Sequence, residues 1–154
     1  MKIKDCFEII SEKNGYKIFK DKQLIAEVNM LVSDRDIQHA EIHSFKNGVF
    51  LTTDFDLSIT RVPGLTRSVY CFDQEIGRFI YVNFDTFQCR TWQENLYSFS
   101  CSASYIEVKD HQKNKMIATI QTDPHNNHIY VEFEDCVHEQ MKLMIALFPC
   151  IRFI

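Results

Sequence analysis

The chain has 154 residues, 45% of them hydrophobic and 13% aromatic, with a formal net charge of −4. That is enough apolar material for one domain, 1–154, with a sizeable core, which excludes wholesale disorder. The acidic balance removes the basic field on which nucleic-acid binding relies, and four glycines with three prolines leave no room for long flexible linkers.

The opening "MKIKDCFEII" has lysines but no apolar run of signal-peptide length. Beyond it, short segments of period-two alternation recur between turn signals, the mark of half-buried strands. Strands are predicted near 4–10 and 15–20, with Asn14-Gly15 as the turn, then at 24–31, where Leu24, Ala26, Val28 and Met30 share one face. Asn47-Gly48 marks a hairpin between 41–46 and 49–53. Further strands fall near 57–62, 67–73, 78–84, 87–92, 96–101, 104–109, 115–121 and 128–134, with turns at Pro63-Gly64 and 122–127. In the last of these, Ile129, Val131 and Phe133 alternate with His128, Tyr130, Glu132 and Glu134.

About a dozen short antiparallel strands leave exposed edges unless the sheet closes. A barrel of that size is too wide for facing side chains to fill alone. The final stretch, "FEDCVHEQMKLMIALFPCIRFI", supplies a filler: from Leu143 to Ile151 it carries no charged side chain, and as a helix it is apolar all round. A membrane span needs roughly 17–25 apolar residues, so the run is too short for a tail anchor, and Pro149 is expected to bend or end it. The expected fold is all-β, a closed antiparallel barrel of about 12 strands around a buried hydrophobic C-terminal helix from about residue 139, with Leu143, Ile145, Leu147, Phe148 and Ile151 in its core.

This layout resembles the tubby C-terminal-domain-like superfamily, which includes tubby proteins, phospholipid scramblases and the LURP-one-related family with its bacterial relatives. The residues that carry the resemblance are "YKIFKDKQLIAEV" at 16–28, similar to that group's first hairpin, and "KMIATIQTDPHNNHIYVEFEDCVHEQMKLMIALFPCIRFI" at 115–154, similar to its ending of strand, turn, strand and buried helix. The resemblance implies a barrel around a helix, and a role in binding phosphoinositide headgroups or other membrane lipids. No residue of the tubby headgroup site aligns with this chain, and it lacks the clustered cysteines and the spanning helix of scramblases.

Candidate chemistry is sparse. Arg61 and Arg67 flank "VPGLT", and Arg78 and Arg90 sit in neighbouring strand segments; converging at one rim, the four would grip a phosphate or an anionic lipid headgroup. His125, His128, Cys136 and His138 have the ligand types for a metal site but no known zinc spacing, and His39 and His43 in "HAEIH" come within reach of one ion on a helix, whereas on a strand they lie roughly 13 Å apart. "SFSCSASY" at 98–105 offers Ser and Cys without a nucleophile-elbow pattern and reads as a strand. "VSDRDI" and "TDFDLS" lack the glycine-bearing acidic loop of a calcium site. The six cysteines, with wide spacings and no CxxC, read as reduced, mostly buried core residues of a cytoplasmic protein. The expectation is therefore a non-enzymatic binding or scaffold module without a cofactor or transmembrane segment, touching an anionic lipid or a protein partner. The alternatives are a small-molecule carrier with the barrel interior as its pocket, and a hydrolase with a dispersed site.

Overall fold

A computed structural model describes residues 5–32, 37–45, 48–56, 64, 66–123, 125, 127–134 and 137–151, with backbone alone for 32, 37, 38 and 54–56. Twelve strands precede one helix: β1 (Asp5–Glu12), β2 (Gly15–Lys20), β3 (Gln23–Val32), β4 (Ile37–Ser44), β5 (Phe50–Asp56), β6 (Thr66–Cys71), β7 (Gln74–Asn83), β8 (Thr86–Thr91), β9 (Leu96–Cys101), β10 (Tyr105–Asp110), β11 (Lys115–Asp123), β12 (His128–Phe133) and α1 (Glu139–Ile151). Each strand pairs antiparallel with its sequence neighbours, and β1 pairs with β12, Asp5 opposite Phe133, so the sheet closes without an edge. The predicted strand at 57–62 lies outside the described residues. β4 and β7 begin several residues earlier than the alternation indicates; polar side chains at the start of β4, and Gly77 within β7, hide strand pairing there.

The inner faces are mostly apolar. Phe7 and Ile9 on β1, Ala26 and Val28 on β3, Phe99 on β9 and Val131 and Phe133 on β12 are all buried. A β-bulge between Val108 and Lys109 opposite β11 lets consecutive Ile117 and Ala118 both turn inward. The outer faces carry Glu8, Lys17, Glu27, Arg78, Arg90, Glu107, Lys109 and Glu132, so polarity alternates in the sense opposite to that of a membrane-spanning barrel. No helix among the described residues is long and apolar enough to cross a membrane.

α1 occupies the interior, with Met141 to Phe148, Cys150 and Ile151 all buried. Phe148 sits in an aromatic cage, its ring centroid 5.6 Å from Phe79, 5.0 Å from Phe87 and 4.3 Å from Phe99. Gly77 makes room for the helix: a Cβ there would lie 2.8 Å from the Arg90 carbonyl oxygen and 3.2 Å from the Met144 methyl. His138 caps the helix, its carbonyl accepting from Lys142 N–H at 2.9 Å and its Nδ1 from Met141 N–H at 3.3 Å. Pro149 is accommodated inside the last turn rather than ending the helix before it. The helix enters at the rim that carries the β2–β3, β4–β5, β6–β7, β8–β9 and β10–β11 turns; the far rim carries the others.

Candidate functional site

The four arginines read from the sequence do not meet as a set. Arg61 lies outside the described residues. Arg67 is opposite Phe79 on the inner face, where its Nη1 donates to the Ile151 carbonyl oxygen at 3.4 Å. It is a cation at the C-terminal end of α1, where the carbonyl dipoles favour positive charge. Burial pushes its guanidinium down to about 10, which leaves it charged at neutral pH. Arg78 and Arg90 face each other across β7 and β8 on the outer wall. Arg78 donates through Nε to Glu75 at 2.5 Å and lies 5.2 Å from the Trp92 ring centroid. That hydrogen bond raises the Arg78 pKa and lowers that of Glu75.

The histidines are dispersed as well. His125 and His128 are at the far rim, the latter 3.2 Å from Glu8 and 3.1 Å from the Tyr130 hydroxyl, while His138 caps α1 at the entry rim. Cys136 lies outside the described residues, and among those described no three potential ligands cluster. His39 and His43 share the outer face of strand β4, where His39 contacts Glu41 at 3.1 Å and His43 packs 5.9 Å from Phe50. Asp54 and Asp56 belong to strand β5 rather than a loop, and 33–36 lies outside the described residues.

Ser98 does acquire a histidine, hydrogen-bonding to His111 Nε2 across β9 and the β10–β11 turn. Both side chains stand on the open outer wall, and backbone amides of β9 and β10 are engaged in the ladder between them. The arrangement is a contact on the surface of the wall.

The entry rim is different in kind. Three consecutive turns on it present large apolar side chains to solvent: Phe45 is 51% exposed, Phe72 65% and Trp92 52%. Phe45, His43, Phe50 and Phe72 form a chain of ring contacts with centroids 5.7, 5.9 and 6.0 Å apart. Phe72 and Asp73 have φ of 48° and 72°, the signature of a two-residue turn that ordinarily takes Asn-Gly. An aromatic residue in the left-handed region is held against its own preference. Beside Trp92 lies a cleft of about 160 Å³ over Met141 and Met144. Beyond it, Lys142 ties α1 to the wall by an ion pair to Asp5 and pairs within the helix with Glu139 at 3.3 Å, while Lys20 reaches Asp5 at 3.4 Å.

Sequence reasoning missed this rim. Its signal was an aromatic residue placed directly at a turn, in "HSFKNG", "YCFDQ" and "TWQEN", out of phase with the buried positions on either side.

The fold and site define a closed twelve-stranded barrel with an internal helix and, among the described residues, an apolar, turn-built entry rim. No family model matches the chain, and no curated protein or solved structure matches it.

Proposed function

We propose that this chain is a non-enzymatic binding module that works from its outer surface, with the entry rim as its contact face for a protein partner. The observation that carries this reading is Phe72, 65% exposed in a left-handed turn position where smaller polar residues are more comfortable. α1 takes the space that a small-molecule carrier would give to its ligand, which weighs against that alternative. Asp73 and Glu94 stand exposed beside the rim aromatics, which favours a partner with basic residues around an apolar patch. We also propose kinship with the tubby-like superfamily, supported by the order of elements, and residence in a reducing, cytoplasmic setting, supported by the absence of a disulfide among the five described cysteines.

The test places a photo-crosslinking residue at position 72 or 92, and at Phe84 on the far rim, which is 78% exposed and serves as the matched control. A discrete protein adduct from 72 and 92 in cells, absent from 84 and lost at 92 when Phe72→Asn is added, is the expected result. Equal labelling from both rims overturns the assignment of the face. The second reading, an anionic lipid, draws on Arg78 and Arg90 facing each other. It requires flotation with anionic vesicles that fades with salt and is lost in Arg78→Gln/Arg90→Gln.

A further inference from the structure

The cleft beside Trp92 opens between the β6–β7 turn, the β8–β9 turn and the first turn of α1. Four carboxamides line it, from Gln74, Gln93, Asn95 and Gln140, and none of these amides has a partner among the described residues. Each offers an acceptor and a donor side by side. The Thr91 hydroxyl oxygen, in the same lining, is buried and has no hydrogen-bond partner among the described residues. Such a group carries a desolvation penalty that a ligand's polar atom would remove.

The cleft is close to neutral. Glu75 is engaged by Arg78 at 2.5 Å and by the Ser68 hydroxyl at 3.2 Å. His138 accepts Met141 N–H on Nδ1, which puts its own N–H on Nε2 as a further donor. With no free counter-charge among the described lining residues, a phosphate, carboxylate or ammonium ligand would be desolvated without compensation. The floor is apolar, Met141 and Met144, and the Trp92 ring forms a wall. Sites for drug-sized ligands run about 300–1,000 Å³, so a cleft of about 160 Å³ holds a single ring.

We infer that this cleft binds one pyranose ring, as a free monosaccharide or as the terminal residue of a glycan. A pyranose is uncharged and presents neighbouring hydroxyls around its whole edge. The carboxamides come from three separate elements, which suits a ring with hydroxyls on several sides better than a nucleobase with one hydrogen-bonding edge. Its C–H face packs against an aromatic ring. The inference rests on the entry rim being the working end, and the two readings fail separately.

Trp92 is the only tryptophan, so its emission reports this cleft directly. The purified chain is titrated with glucose, galactose, mannose and N-acetylglucosamine to about 50 mM, with the methyl resonances of Met141 and Met144 followed alongside. At least one sugar is expected to shift both probes with millimolar affinity, weakened about tenfold or more by Asn95→Ala or Gln93→Ala and unchanged by Phe84→Ser on the far rim. Equal binding of the methyl glycoside marks a glycan terminus, and its loss marks the free reducing sugar. No shift with any sugar, a shift indifferent to both substitutions, or a response to nucleosides or inorganic phosphate instead overturns the inference. Failure here with the position-72 adduct intact removes the ligand and leaves the contact face; the reverse result removes the face and leaves the cleft.

Discussion

Lys142 is 6% exposed, a cation drawn into the mouth of the barrel. Burial opposes its charge, but hydrogen bonds to Asp5 and Glu139 outweigh that and raise its pKa. The Lys142 hydrogen bond holds Asp5 below the ordinary carboxylate value. The lowered carboxyl contributes stability above its unfolded pKa that is lost as pH falls through the folded one. The raised amine contributes stability below its unfolded pKa that is lost as pH climbs through the folded one. Lys142→Met keeps the stem and removes both effects. With Asp5 partly exposed, it should cost about 1–2 kcal/mol at neutral pH. By denaturant unfolding, the gap to the parent should narrow near pH 3, and a gap constant across pH would rule the ion pair out. The sequence displays Lys142 only as a flank to an apolar run, because Asp5, its partner, lies at the other end of the chain. The cysteines follow the same lesson: Cys89 and Cys150 are buried and Cys71 and Cys101 half-buried, but Cys6 is exposed, because the outward face of β1 is invisible until β12 and β2 flank it. Burial pushes the Cys89 thiol up to about 12 and the Cys150 thiol up as well. Under native conditions a thiol reagent should modify Cys6 first and leave Cys89 and Cys150 untouched, while the denatured chain yields six thiols.

At the scale of elements, α1 was the most legible feature, since a segment apolar on every side has no face for water. Its surroundings were not legible. Gly77 looks like a strand breaker, yet it is the notch through which Met144 meets the wall. Gly77→Ala should lower stability by at least about 1 kcal/mol, because one of the atoms met is backbone and has nowhere to go. Phe148→Ala should cost about 3–5 kcal/mol by emptying the aromatic cage. Leu147→Asp buries a charge at 0% exposure and should abolish the cooperative thermal transition altogether. The rim turns run the other way. Phe72→Asn should raise stability by about 1 kcal/mol by relieving the left-handed strain, while erasing the adduct expected from position 92. A destabilising Phe72→Asn would show that the ring packs for the fold and not for a partner.

For the whole molecule, closure could be argued from strand number alone, since a dozen strands with no edge protection have few other solutions. The site could not. Gln74, Gln93 with Asn95, and Gln140 are ordinary surface amides along the chain, and only the stacking of two turns over the first turn of a helix makes them neighbours. The arginines show the converse, since a suggestive set of like residues is split by the parity of the strands into one inward and two outward members. Removing everything after His138 should leave an aggregating or unfolded chain by circular dichroism and size-exclusion elution. A monomeric, cooperatively melting barrel would mean that the walls hold without their centre.

The seam between β1 and β12 also governs how the chain is born. Asp5 must wait for Phe133 before its ladder can close, and the interior stays vacant until the segment through Ile151 has left the ribosome. Synthesis at about 5–20 residues per second therefore holds a half-built wall, greasy side outward, for seconds. Contacts this distant in sequence also make for slow closure. A ribosome stalled before the last hairpin is therefore expected to release an aggregation-prone fragment rather than a smaller working domain.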